Sequence, residues 1–366
     1  MDLIELHILH SFPVSCLNRD DLGAPKSAVF GGVPRARVSS QCWKRVIREM
    51  ASDLQGDLFA GKRTRFVIAQ FKEAFIAAGK TPEEASVLAE LAADATGKVD
   101  SLEKGNVKTL LYFSPQELQT IVDSLLDLDS DNLASAAADP TASKKDSEKA
   151  RKDLAALAKK ASKGMGAKVK DAADIAIFGR MVADDHSLTI DGAGLFSHAI
   201  STHRAENQVD FFSAVDDSKP TGDDAGAGHI GTIEFNSACY YRCIVLNLDL
   251  LKNDYLDHFS EEELHAVLDA FIRASVLAVP KARKNSMLSF NPPSYVLGLR
   301  RKGQPLSLAN AFEKPVTNKG EGYIQPSAKA LENHLEEVEA LYGMTSDVKV
   351  SLKDEGIEGF ISKLVG

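Results

Sequence analysis

Between Arg19 and Arg48 the chain carries seven basic residues (Arg19, Lys26, Arg35, Arg37, Lys44, Arg45 and Arg48) against two acidic ones, Asp20 and Asp21. That stretch is +5 in a protein of net charge −9, built from 43 Lys+Arg and 52 Asp+Glu. Cations spread over a loop and several helical turns suit a polyanion backbone better than a single phosphate.

The segment "RVSSQCWKRVIRE" sharpens this. Its spacing predicts a helix opening at Ser39 or Ser40, with either serine able to cap the free N–H groups. At 100° per residue Trp43, Val46, Ile47 and Met50 share one face, and Gln41, Lys44, Arg45 and Arg48 another. The dipole of a helix N-terminus favours acids, so these cations call for negative charge from outside the helix. The alternative is a solvated basic face paired with acidic neighbours.

Other residues offer related chemistry. Phe211 and Phe212 adjoin a polar loop. Adjacent strand residues point to opposite faces, so one ring could be exposed and stack on a nucleobase, while core packing of both is the plainer reading. Met181, after Gly179 and Arg180, is an apolar side chain beside a cation. His198 and His203 flank the loop region and could contact a ligand, although capped or core histidines are the commoner case. Asp20 and Asp21 could hold a divalent ion, although an Asx-type turn or salt bridges to Arg19 and Arg37 fit "LNRDD" better.

Several enzyme-like fragments fail. "AFIAAGKT" has Ala74 where a P-loop needs its first glycine. "DLDSDN" from Asp127 has Asn132 at the glycine position of an EF-hand and Ala138 in place of the glutamate ligand. Cys239 and Cys243 lack partners at zinc-ligand spacing. No metal or cofactor is expected.

These residues need elements to position them. "LIELHILH" alternates apolar and polar side chains and reads as a first strand. The Gly/Pro/Asp-rich text to Arg37 reads as a long loop or hairpin. From about 66 to 178 the chain is mostly helical. One helix ends at Gly79, and the next starts with Thr81 as cap, Pro82 at the first position and Glu84 closing a capping box. Residues 130–166, dominated by Ala, Lys, Asp and Ser, predict an exposed, poorly ordered segment passing into a surface helix. "VDFFSAV" and "IEFNSACYYRCIVLNLDLL" flank a Gly/Asp-rich loop at 216–232, the second being a strong strand. Ser260 and Glu263 form a second capping box. Short strands are expected near Met287–Phe290 and Tyr295–Leu299. A last amphipathic helix should bury Leu331, Leu335, Val338 and Tyr342 and stop at Gly343. The order implies an α+β protein with a split βαβ, ferredoxin-like core interrupted twice.

Composition is that of an ordinary globular chain, 44% hydrophobic and 26% charged. The N-terminus does not read as a signal peptide, and there is no long apolar run, so a cytoplasmic protein with no membrane contact is expected.

"SCLNRDDLGAPKSAVFGGVPRARVSSQCWKRVIRE" resembles the N-terminal signature of the backbone, CasC-type subunit of type I-E CRISPR Cascade complexes. The resemblance continues through "DIAIFGRM", "SHAISTHRAENQVDFFSAVDD", "GHIGTIEF" and "LSLANAFEKPV". It covers nearly the whole chain except 130–166. It implies a modified RNA-recognition (ferredoxin-like) palm formed by 1–65, 179–203 and 233–366. Residues 66–178 would be helical fingers and 204–232 a thumb loop. It further implies a non-catalytic, CRISPR RNA-binding subunit that stacks with copies of itself into a helical filament beside other Cascade subunits. The guide bases stay available for a target DNA strand. By matching position, the RNA backbone would meet Arg19, Lys26, Ser40, Gln41, Lys44, Arg45 and Arg48, and bases would meet Met181, Phe211 and Phe212. Arg35, Arg37, Arg180 and His203 are possible further contacts. Related backbone subunits cut RNA with an acidic residue, so a metal-dependent ribonuclease using Asp20 and Asp21 is the alternative.

Overall fold

The computed structural model describes residues 1–127, 131–139, 141–162, 169–181, 189–214 and 229–366. It is a mixed α+β structure with one large antiparallel sheet. The chain opens with β1 (Asp2–Ser15), the hairpin β2 (Ser27–Phe30) and β3 (Val33–Val38), and α1 (Ser40–Leu54). Next come β4 (Lys62–Thr64), α2 (Ile68–Ala77), α3 (Pro82–Gly97), β5 (Val99–Ser101), β6 (Asn106–Val107) and β7 (Leu111–Phe113). Helices α4 (Pro115–Asp127), α5 (Asp131–Ala138), α6 (Lys144–Ser162) and α7 (Ala173–Phe178) follow. The chain continues through β8 (Gly194–Phe196), β9 (Ala199–Ser201), β10 (Gln208–Ala214) and β11 (His229–Asn247). It ends with α8 (Glu261–Leu277), α9 (Lys284–Met287), β12 (Tyr295–Lys302), α10 (Ile324–Tyr342), β13 (Val348–Ser351) and α11 (Leu352–Val365).

Two compact units result. The first comprises Met1–Ala51, Gly194–Asp249 and Leu268–Gly366. Its sheet runs β13-β12-β1-β11-β9-β3-β2, with β8 and β10 also pairing β11. "LIELHILH" forms the strand its alternation calls for, and its polar residues Glu5, His7 and His10 are fully buried because both faces are covered. On one side Leu3, Leu9, Tyr241 and Leu299 pack with Phe312, Leu331 and Leu335. On the other, the His10 ring lies 6.2 Å from Trp43 of α1, and Arg242 donates to the Ser275 carbonyl of α8 at 2.8 Å.

The second unit comprises Ser52–Ala193 and Leu250–Val267. Its core joins Phe71 and Phe75 of α2, Leu88 and Ala92 of α3, Val122 and Leu125 of α4, and Leu154 of α6. The capping box at Thr81 and Glu84 forms as the sequence demands. So does that at Ser260 and Glu263, where the Ser260 N–H reaches the Glu263 carboxylate at 2.8 Å. The described part of 130–166 departs from expectation. It forms α5 and α6, whose Ala134, Ala137, Ala150, Leu154, Ala158 and Ala161 are buried against α3 and α4. Small side chains let helix backbones approach closely, so an alanine-rich text still closes a core.

Other departures lie at the C-terminal end. Met287 ends the short helix α9 rather than starting a strand, and Arg283 and Leu288 on either side of it have left-handed backbones. In α10 the buried stripe stops at Leu335, and Tyr342 is exposed before the left-handed Gly343. A further strand and helix, β13 and α11, follow it.

Candidate nucleic-acid interface

The basic stretch is built around the start of α1. Ser39 caps the helix, accepting the Cys42 N–H at 3.3 Å, and its own N–H donates to the Asn18 side chain at 2.9 Å. Asn18 also accepts the Lys26 N–H at 2.9 Å through its backbone carbonyl. One asparagine therefore ties the loop 16–26 to the helix N-terminus. Within that loop the Asp20 carboxylate accepts the N–H groups of Leu22 and Ala24 at 2.9 and 3.0 Å, an Asx-type turn. Arg19 is bridged to Pro25. The sequence text of 16–26 is thus a closed turn that presents Arg19 and Lys26 from fixed positions.

Along α1 the two faces separate as the wheel predicts, with Trp43, Val46 and Ile47 buried. Ala51 completes that face, while Met50 is only half-buried. On the polar side Gln41 and Arg45 are exposed and Ser40, Lys44 and Arg48 half-buried. The Lys44 ammonium sits 5.0 Å from the centre of the Phe196 ring. Arg45 is less available than its exposure suggests. Its Nε donates to Glu49 at 2.8 Å, and Glu49 also takes Lys281 Nζ at 2.8 Å. Burial raises the Glu49 pKa, but the bonds from Arg45 and Lys281 outweigh it and hold the carboxyl below its ordinary value. Arg19, Asp20, Asp21, Arg45, Glu49 and Lys281 line a cleft of about 590 Å³.

A second cluster stands on β3. Arg37 donates from Nε to the Ser27 carbonyl at 3.1 Å, and its Nη1 lies 3.3 Å from His198 Nδ1. Its backbone N–H meets the Lys26 carbonyl at 2.9 Å, so the two cations are neighbours. Among the described residues, no acidic side chain forms an ion pair with Arg19, Lys26 or Arg37. Burial, then the Arg37 and Lys26 charges, push the His198 pKa below its ordinary 6.5.

Three expected contacts do not fit an exposed track. Arg35 is fully buried. Its guanidinium donates to the carbonyls of Phe30, Ser201 and Phe312 at 3.1, 2.9 and 2.8 Å. This packing needs Gly31 in the hairpin turn, because a Cβ there would overlap the Glu313 carbonyl. Arg180, 3% exposed, is committed to Glu117 and to the Tyr112 carbonyl. His203 is buried, stacked on Tyr323 at 3.6 Å, and accepts the Cys239 N–H. Buried side chains with internal partners cannot meet an external phosphate.

The aromatic pair does reach solvent. In the β10–β11 hairpin Phe211 faces Thr232 and Phe212 faces Gly231 across the ladder. Phe211 is 65% exposed and Phe212 37%, so neither is core. The Phe212 ring lies over Gly231, where any side chain would collide with it. The base of the hairpin is held by Asn207, which donates to the Pro25 carbonyl at 2.9 Å and Glu234 at 3.1 Å and accepts from buried Asn236 at 3.3 Å. Residues 215–228, with most of the Gly/Asp-rich loop, lie outside the described residues. In the second unit Met181 is 83% exposed. It follows Gly179, whose positive φ of 77° and close approach to Gly192 exclude a side chain.

Asn18 and Asn207 were not legible as site residues, because their roles are hydrogen bonds to distant backbone. His198 was legible only as a histidine near a loop. Among the described residues no cluster of three His, Cys, Asp or Glu side chains could hold a metal ion. No helix among them is long and apolar enough to cross a membrane.

A family model described as CT1975-like protein matches residues 4–362. A solved structure titled "CRISPR RNA-guided surveillance complex, pre-nicking" contains a chain similar to this one, with a TM-score of 0.76 and 28% identity. The match covers 94% of this chain and 90% of that one. A chain of a "CRISPR RNA-guided surveillance complex" shares the fold at a TM-score of 0.58 and 23% identity, covering 95% and 88%. No curated protein matches.

Proposed function

The chain belongs to the CT1975-like protein family, and from that premise we propose that it is a CRISPR RNA-binding subunit of a surveillance complex. The observation that carries this reading is the set of cations Arg19, Lys26 and Arg37. They have no acidic partner among the described residues, in a chain of net charge −9. A cluster of unneutralised cations is the kind of surface that holds a polyanion by releasing its counterions. The similarity at 28% identity to a chain of an RNA-guided complex supports RNA as that anion.

In finer terms the subunit is a CasC-type backbone of a type I-E complex. The strand order β12-β1-β11-β9 supports a ferredoxin-like palm. Residues 66–178 act as fingers and the β10–β11 hairpin, within 204–232, as a thumb. Arg19, Lys26, Ser40, Gln41, Lys44, Arg45 and Arg48 clamp the RNA backbone, with Arg37 beside them. Phe211, Phe212 and Met181 press on bases. Backbone contacts bind every guide alike and leave recognition to base pairing with the target DNA strand. Copies of the chain follow one another along the guide beside other Cascade subunits. We take the role as non-catalytic, a reading supported by Asp20 Oδ1, which accepts two N–H groups of its own loop.

Nucleic acid extracted from the purified complex tests the assignment. RNA of one defined length carrying a CRISPR repeat handle is expected, and a preparation free of RNA that binds none when supplied would overturn it.

A further inference from the structure

His198 lies in the turn between β8 and β9, and β9 pairs with β3 so that Arg37 faces Ile200. A guanidinium only donates hydrogen bonds. The contact from Arg37 Nη1 therefore makes Nδ1 of His198 an acceptor and leaves the ring proton on Nε2. The residue is largely exposed, and among the described residues this Nε2–H has no acceptor.

The charged groups facing the ring are Arg37 from β3 and Lys26 from the loop before β2. Strands β8 and β9 carry no ionisable side chain, and α1 brings Lys44 onto the adjoining Phe196. The named charges around the ring are all positive. In the free protein they oppose an imidazolium, as does the ring's partial burial. A phosphodiester laid across Lys26 and Arg37 reverses that field. It also competes for the Arg37 N–H, which releases the Nδ1 lone pair to accept a proton from solvent.

We propose that His198 is a further contact to the RNA backbone and that it takes up one proton when RNA binds, adding a cation to the track only while the track is occupied. This rests on the RNA-binding reading above. It makes the guide grip tighter in mildly acidic solution and gives each copy one extra charge contact there.

The test is the salt dependence of affinity of the full chain for a labelled, unstructured single-stranded RNA, at about pH 6 and about pH 8, on either side of an ordinary histidine titration. Each added phosphate contact steepens the slope of log affinity against log salt by about 0.7 for single strands. The wild type should show that steepening per bound copy at the lower pH. His198→Asn should show the same shallow slope at both. His198→Lys should show the steep slope at both, which guards against mistaking a damaged turn for a lost charge. Equal slopes for the wild type at the two pH values, or a pH difference that survives in His198→Asn, would overturn the inference. Lys26→Ala with Arg37→Ala separates the two readings. Unchanged affinity in that variant removes the RNA track itself. A large loss there beside a pH-independent wild type removes the His198 role alone.

Discussion

Arg180 and Glu117, 63 residues apart, meet as a buried ion pair with Nη1 2.8 Å from Oε1. Both side chains are almost wholly withdrawn from water. A cation beside an apolar, exposed Met181 invites a ligand-binding reading, yet its partner is internal. Removing one member of such a pair strands a buried charge and costs about 3–5 kcal/mol. Glu117→Gln and Arg180→Met should each lower the urea midpoint of unfolding sharply, whereas the double substitution to Arg180→Met with Glu117→Leu should lower it less. The affinity of the folded fraction for RNA should not change in any of them.

Lys26→Ala and Arg37→Ala should weaken RNA binding equally for guides of unrelated sequence. Each should also flatten the salt slope by about 0.7, the signature of one lost phosphate contact on a single strand. Arg45→Ala should do less, because Glu49 already neutralises part of its charge. Titrations over a range of salt concentrations with two different RNAs check all three.

The hairpin aromatics should separate by their packing. Phe211→Ala and Phe212→Ala should each reduce base stacking by about 1–3 kcal/mol per base displaced. Gly231→Val should mimic Phe212→Ala without touching the ring's chemistry, because the added side chain occupies the place of the Phe212 ring. Fluorescence of a 2-aminopurine base in the bound RNA reports the change, and an unchanged signal in all three variants would count against the wedge.

Asp20→Ala should loosen the loop and weaken RNA binding through Arg19 and Lys26, since the Leu22 and Ala24 N–H groups lose their acceptor. It should not alter RNA integrity. Incubation of the assembly with target RNA and Mg²⁺ checks this, and regularly spaced cuts that vanish in Asp20→Ala or Asp21→Ala would favour the ribonuclease alternative.

Stability should respond to pH through two buried histidines of β1 with opposite signs. Burial disfavours the charged form of His7, but neighbouring Cys243 and Glu5 raise its pKa from 6.5 to about 9. Its contribution is complete below about 6.5 and is lost as pH rises through about 9. His10 is held down at about 3 by burial and then by Arg242, so its contribution is complete above about 6.5 and declines as pH falls toward 3. Urea midpoints across that range should lose their alkaline decline in His7→Gln and soften their acid decline in His10→Gln.

What could be read from the sequence was what local chemistry determines. The boxes at Thr81–Glu84 and Ser260–Glu263 satisfy their own helix ends, and the two faces of α1 follow from 3.6-residue periodicity. What escaped depends on partners far along the chain. Arg35 and Ser201, 166 residues apart, give no sign in composition that one will be buried against the other. The same holds for His203 on Tyr323. Asn207 joins the hairpin to the Pro25 carbonyl 182 residues away, a bond no spacing rule announces. The alanine-rich α5 and α6 misled for another reason: low hydrophobicity per residue hides how closely small side chains let helices pack.

Strand β11 is 19 residues long and pairs β10 as far as Phe235 and β1 from Asn236 onward. The same unbroken backbone therefore belongs both to the hairpin that carries the phenylalanines and to the centre of the sheet. At about 3.3 Å per residue it is a rule of roughly 60 Å. Its length sets how far the two phenylalanines stand from the centre of the sheet. Two residues inserted at the hand-over from β10 to β1 would lengthen that reach by about 7 Å and keep each ring on its own side. One inserted residue would exchange the sides instead.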